Sequence, residues 1–441
     1  MSQAVVTAPR PSIAARAGGR SLFLRAVKAV VDGMVVFATA RGFGAEGRGL
    51  YALALLSATF MVIPVLGMTT PLSAELAHRR ATLAQLEAAS ILISLVGGTA
   101  IAAGAAVVAL ANWPHWAWLL IAAAPLPVLC LAQCQIMLFQ AAGDVTRMGL
   151  LALSQSCVTL VTVSAVALLD PGRIYIALVA WACVQPIAPI TFLLLERKRH
   201  GIDFTGLRPI VGRLIRRGIP VSLGNTILRL NYRVDVFVVA ALLPLASVGV
   251  YSVAVAVGEM LWEVSRAMIA GAYRSMVSSS LAESIRVTMH AFRQSFLLLF
   301  GGGVVATLGA YVLMGPVFGA DFAKAWIPLA LLVPGIAGFG AAEVLRVFFL
   351  VRLERSREYL IATTISMLAN LVLALALVPE WGIAGAAAST SVSYIGACIF
   401  LGLRFARVGG PRRLRPYFPG RAEIQDHLRL LSYYASQLRR A

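Results

Sequence analysis

Residues 225–266 read NTILRLNYRVDVFVVAALLPLASVGVYSVAVAVGEMLWEVSR, which sets Arg229, Arg233, Asp235, Glu259, Glu263 and Arg266 inside segments otherwise apolar enough to cross a membrane. Asn225, Arg229 and Tyr232 share one helical face with Arg233 beside it, while Glu259, Glu263 and Arg266 follow the i, i+4, i+7 stripe of the next segment. An ionised side chain at membrane depth costs roughly 2.5 to 3.5 kcal/mol on insertion scales, so such residues face a bundle interior or a watery cavity. The pair of helices reads as half of a polar pathway through a membrane.

The chain around this stretch has the composition of a polytopic membrane protein. Of its 441 residues 59% are hydrophobic and 13% charged, against roughly 25% charged in soluble domains. The net charge of +19 does not imply a nucleic-acid partner, because the basic residues are dispersed among apolar spans instead of forming one basic face with aromatics. Cys130, Cys134, Cys157, Cys183 and Cys398 all lie in apolar segments, where a thiol behaves as a small hydrophobe. Neither these cysteines nor the five histidines, at 78, 115, 200, 290 and 427, fall at metal spacing. No metal site or cofactor is expected.

Apolar stretches of about twenty residues, enough to span a bilayer as helices, recur at 21–41, 49–71, 86–111, 116–140, 148–169, 173–195, 219–243, 247–270, 292–315, 325–350, 359–379 and 382–403. Helices are expected throughout, since the backbone must satisfy itself in lipid and the alternation of barrel strands is absent. Lys and Arg test the topology, because cytoplasmic loops carry the excess. With the N-terminus inside, 30 of the 38 fall on the inner side, and only Arg41, Arg48, Arg173 and Lys324 fall in outer loops. Both termini are therefore expected in the cytoplasm. The basic arm 1–20 reads as cytoplasmic and not as a secretory signal, because Arg25, Lys28 and Asp32 interrupt the apolar core that a signal needs.

The basic segment 196–218, the longest inner connection, divides the chain into six-span lobes at 21–195 and 219–403, followed by a basic tail, 404–441. Phe37, Ala40, Gly49, Tyr51 and Ala54 recur as Phe237, Ala240, Gly249, Tyr251 and Ala254 at an offset of 200. The expected fold is all-α, about twelve transmembrane helices in two lobes with pseudo-two-fold symmetry about the membrane normal. In the tail, Ile424, Leu428, Leu431, Tyr434 and Leu438 at helical spacing predict either an amphipathic helix drawn to anionic membrane lipids or a solvated end.

Four stretches carry a resemblance. Arg41-Gly-Phe-Gly-Ala-Glu-Gly-Arg-Gly-Leu-Tyr51 resembles the glycine-rich turn of the polysaccharide transporters, O-antigen or exopolysaccharide flippase-like proteins of the multidrug/oligosaccharidyl-lipid/polysaccharide exporter (MOP) superfamily. Arg233-Val-Asp235 with Val248-Gly-Val-Tyr-Ser252, then Phe318-Gly-Ala-Asp-Phe322, then Gly382-Ile-Ala-Gly-Ala-Ala387, are similar to that family's later connections. Leu243-Pro244 departs from its usual Leu-Gly. The resemblance implies twelve helices around a central cavity and the flipping of undecaprenyl-diphosphate-linked oligosaccharides across the bacterial cytoplasmic membrane. It also implies other polysaccharide assembly proteins as partners.

A lipid-linked diphosphate glycan pairs an anionic head with an apolar tail, so its carrier needs a wet, basic groove. Arg229 and Arg233, with Arg25 and Lys28 at corresponding depth in the first lobe, and Arg266 and Arg346, are the candidates to hold it, because the planar guanidinium grips phosphate oxygens in a bidentate way. Asp32, Asp235, Glu259, Glu263 and Glu343 are candidates for a coupling ion or for charge balance. Plainer alternatives stand beside these: Arg25 and Lys28 can snorkel to the interface, and Arg266 and Arg346 can pair with Glu263 and Glu343 at helical spacing. A cation-coupled drug exporter is the alternative within the superfamily. A membrane-embedded glycan polymerase or ligase is a third reading, which the short outer loops disfavour, so no enzyme is expected.

Overall fold

A computed structural model describes residues 13–411, leaving out the side chains of residues 13–19, 21, 22 and 274. The tail stripe from Ile424 to Leu438 and the first twelve residues of the basic arm lie outside the described residues. Every regular element is helical, with no strand among the described residues. Nine helices there are long and apolar enough to cross a membrane. The protein is a polytopic membrane protein.

Hydropathy and helix length part company in three places. Two of the nine, Phe23–Ala77 and Ser356–Arg407, run to 55 and 52 residues, about twice what a bilayer needs at 1.5 Å per residue. Each contains one glycine of non-helical geometry: Gly44 has φ 65°, ψ −171° and Gly382 has φ 58°, ψ −137°, a region that side chains with a Cβ essentially never enter. The first stretch also turns at 67–68 before Thr69–Ala77. The third place is Leu207–Leu242, a 36-residue helix left out of the nine by its arginines and Asp235.

The 196–218 segment differs from its reading as a long loop. Ile187–His200 carries helix through Glu196, Arg197, Lys198 and Arg199, and Leu207–Leu242 resumes it, so that only 201–206 lie outside helix. Charged Glu, Lys and Arg are good helix formers; their polarity marks the end of the bilayer, not of the helix. The short turn is tied by Asp203, whose Oδ1 accepts from the Thr205 hydroxyl (2.7 Å) and backbone N–H (2.8 Å). These bonds hold its carboxyl below the usual range. Gln85, in the capping box of Leu83–Ala111, donates to the Thr205 carbonyl.

The described residues form two compact units, one of residues 13–43 and 50–226, the other of 44–49 and 227–411. In the first, Leu83–Ala111 packs on Leu126–Ala141 around Leu72, Leu86, Leu126, Cys130, Cys134 and Leu138. In the second, Trp326–Val347 packs against both Leu281–Phe318 and Ser356–Arg407. It is wrapped by protein along most of its length, whereas Leu83–Ala111 leaves much of its apolar surface uncovered by the protein. Close packing follows from Gly335 and Gly340 on the central helix, where the Gly335 N–H donates to Ser391 Oγ at 2.7 Å.

Segment 44–49 makes a close backbone contact within the second unit. A Cβ on Gly49 would collide with the carbonyl of Leu245, and one on Gly249 would collide with that of Ala45. The contact is reciprocal at an offset of 200, the spacing of the sequence echo. Beside it, Arg48 is buried and its Nε donates to Ser252 Oγ at 3.1 Å.

Candidate functional site

The charged residues of the 225–266 stretch lie on Leu207–Leu242, Leu245–Met260 and Trp262–Ser278 within the second unit. Pro244 closes the two-residue connection between the first two of these helices with φ −56° and ψ 153°. Arg233 Nη2 donates to Glu259 Oε2 at 2.7 Å, both side chains being part-exposed. Arg229, one turn earlier and half-buried, has no hydrogen-bond or ion-pair partner among the described residues. Against Arg233 and Glu259 lies an aromatic group. Tyr232 meets Trp262 and Phe339 with centroids at 5.3 and 5.8 Å, and Phe339 stacks on Tyr394 at 4.5 Å.

Asp235 sits apart from the arginines' hydrogen bonds and is 2% exposed. Its Oδ2 accepts from the Tyr251 hydroxyl and from Thr390 Oγ1 (2.9 Å), and its Oδ1 accepts from the Val236 N–H (2.8 Å). Asn370 Nδ2 donates onward to Thr390 Oγ1 at 3.3 Å. Asn231, one turn before Asp235 and fully buried, leaves both polar atoms of its side-chain amide without a partner among the described residues. A buried carboxylate ringed by hydroxyls and amides, with spare amide capacity nearby, suits a proton or a small hard cation.

Arg266 pairs with Glu263 and Arg346 Nε with Glu343 Oε2 (2.7 Å), both within their own helices. Glu343 also accepts from the Tyr359 hydroxyl at 2.9 Å, and the Arg346 guanidinium lies 5.4 Å over the Tyr359 ring. In the first unit, Lys28 Nζ is 2.5 Å from Asp32 Oδ2, and Ser156 Oγ donates to Asp32 Oδ1 at 2.7 Å. Arg25 is exposed without a partner among the described residues. Four of the six basic candidates are thus neutralised by carboxylates; Arg229 and Arg25 are not.

Sequence reasoning quoted Tyr251 in its motifs without giving it a site role, and missed Asn370 and Thr390, whose only signal was polarity inside apolar spans. It also missed Glu87 and Glu196, both buried, each with its Oε2 lacking a hydrogen-bond partner among the described residues. Glu196 Oε1 accepts from Arg147 Nη1 at 2.9 Å. Among the described residues no three His, Cys, Asp or Glu side chains converge as a metal site.

The sequence model of the polysaccharide biosynthesis protein family matches residues 26–273, more than half of the chain. The chain belongs to that family. In this polysaccharide biosynthesis protein the match includes the Arg41–Tyr51 and Arg233–Ser252 motifs and every charged residue of the 225–266 stretch. Glu343, Arg346, Asn370 and Thr390 lie beyond it.

Solved structures share the fold. Lipid II flippase MurJ, in an inward closed conformation, superposes with TM-score 0.74 at 13% identity, covering 96% of this chain and 92% of that one. An inward-facing multidrug resistance MATE family transporter of the MOP superfamily gives 0.67 at 13%, covering 87% and 95%. A MOP superfamily transporter from Pyrococcus furiosus, described as having a binding pocket of reverse polarity, gives 0.54 at 13%, covering 90% and 96%. No curated protein sequence matches significantly. The polysaccharide biosynthesis protein therefore has the fold of MOP-superfamily transporters.

Proposed function

We propose that this protein is a flippase that moves an undecaprenyl-diphosphate-linked oligosaccharide, a precursor of surface or exported polysaccharide, from the cytoplasmic to the outer leaflet by alternating access. The observation that carries this reading is Arg229, a cation inside a helical bundle with no carboxylate partner among the described residues. An unpaired guanidinium there is costly unless an anion or water meets it. A diphosphate offers oxygens for its planar fork. Arg233 stands ready to join it by exchanging Glu259 for phosphate, and the half-buried Tyr232 and Trp262 rings, backed by the buried Phe339, offer edges and faces to sugar rings. Family membership and the fold shared with a lipid II flippase support the same substrate class.

In this reading Asp235, with Tyr251, Thr390 and Asn370, holds the coupling proton or cation. Dividing the two long helices at Gly44 and Gly382 and adding Leu207–Leu242 raises nine spans to twelve, six in 21–195 and six in 219–403. The protein then lies in the bacterial inner membrane with both termini cytoplasmic, among anionic lipids and alongside other polysaccharide assembly proteins. It carries out transport and no chemistry on the glycan.

A second reading, a cation-coupled drug exporter, is favoured by the likeness to the multidrug resistance transporter. The two separate in Arg229→Gln. Loss of glycan export at normal protein level, with lipid-linked glycan accumulating on the cytoplasmic leaflet, supports the flippase. Unchanged export together with altered resistance to cationic drugs supports the exporter.

A further inference from the structure

Glu75, on Thr69–Ala77 of the first unit, has no exposed surface. Three arginines converge on it. Arg213 donates from Nε (3.1 Å) and Nη2 (2.8 Å) to Oε2, Arg217 donates from Nη1 to Oε1 at 3.3 Å, and Arg80 Nη1 lies 3.9 Å from Oε1. Arg80 comes from the turn after the Glu75 helix and the other two from the start of Leu207–Leu242. One carboxylate therefore balances three cations, leaving a local surplus of two positive charges.

The guanidiniums remain 33% to 47% exposed. A guanidinium carries five N–H donors, and no further partner for these three exists among the described residues. A fully buried carboxylate that holds two arginine forks edge to edge, with their outer edges unpartnered, has the layout of a preorganised oxyanion receptor. Arg79 and Arg216, both exposed, add to the same field.

We propose that Arg80, Arg213 and Arg217, oriented by Glu75, form a binding site for a phosphate-bearing anion at the 75–80 and 208–217 rim of the first unit. The recognised chemistry is a phosphate or diphosphate group, whether borne by a lipid headgroup or free in solution. The site is distinct from Arg229, which lies in the other unit, and does not depend on the flippase reading.

The probe is inorganic pyrophosphate, titrated calorimetrically into the full-length protein in phosphatidylcholine nanodiscs. Saturable binding is expected, weakened at least roughly tenfold in Arg80→Gln/Arg217→Gln, since each lost contact is a charge-assisted one. Arg213 is kept so that Glu75 retains its partner. Arg286→Gln, an exposed helical pair, serves as the control and should bind as the parent does. Pyrophosphate held at Arg229 would survive the double variant, so the loss isolates this cluster. Should the double variant not fold, Arg80→Gln alone, which gives up only the 3.9 Å contact, must still weaken binding. Repeating the titration in phosphatidylglycerol nanodiscs assigns the source. Competition there identifies a lipid headgroup as occupant, and undiminished binding identifies a phosphate brought from solution or by a substrate. No saturable binding in phosphatidylcholine, or variants indistinguishable from Arg286→Gln, would overturn the site.

Discussion

At the residue scale, the balance between charge and partner separates the arginines. Arg266 and its Glu263 are exposed by 56% and 39%, and exposed pairs contribute less than about 1 kcal/mol; Arg266→Gln is expected to leave thermal stability of the purified protein within about that limit. Arg229 has no pair to lose among the described residues. Its replacement by Gln should therefore leave stability unchanged or raise it; on the proposed flippase reading, glycan export should fall by roughly tenfold or more, the expected effect of losing a charge-assisted phosphate contact. Leaflet-resolved quantification of lipid-linked glycan, run beside a melting curve, checks both halves. A stability loss that matches the export loss would make Arg229 structural. Asp235→Asn keeps the size of the side chain but removes a charge that three donors converge on. It is expected to abolish the dependence of transport on a proton or cation gradient in proteoliposomes; persistence of that dependence would move the coupling site elsewhere.

Glycines decide the geometry at the element scale. Gly49 and Gly249 each admit the other helix's carbonyl where a Cβ would stand. Neither neighbour is a flexible side-chain tip, so the backbones must separate. Gly49→Ala and Gly249→Ala should each cost about 1–3 kcal/mol by overpacking, read as a lowered melting temperature in nanodiscs, and the double variant should cost less than the sum because one separation relieves both. Gly44 and Gly382 act through φ. Alanine there should cost about 1–3 kcal/mol although Gly382 has open space around its missing Cβ. Alanine at the open, helical Gly104 is the comparison that should cost nothing.

Across the whole molecule, the asymmetry of basic residues is the strongest organiser. If 30 of 38 Lys and Arg face one side, the turn at 201–206 belongs to the cytoplasm. A reporter active only in the periplasm, fused at Gly201, should be silent, and one active only in the cytoplasm should be bright. The reverse pattern would invert every span and place the Glu75 cluster on the outer face. The same asymmetry accounts for the net charge of +19 without a nucleic-acid partner.

Composition and spacing were enough to indicate an all-helical membrane protein and to offer the pairs Glu263–Arg266 and Glu343–Arg346 as one reading, because these depend on local hydropathy and on neighbours three or four residues apart. The family was legible only as a resemblance carried by the glycine motifs. The bounds of helices such as Ile187–His200 were not legible in hydropathy, which reports bilayer thickness and not where a charged helix stops. Only tertiary packing could pair Arg233 with Glu259 across 26 residues, bring Thr390 to Asp235 across 155, and gather Arg213 and Arg217 onto Glu75 across 138 and 142. The sequence placed all those charges at membrane depth or at its rim. Which of them remained without a partner, as Arg229 did, depended on long-range packing, since a buried charge is neutralised by whichever group the fold sets within a few ångströms.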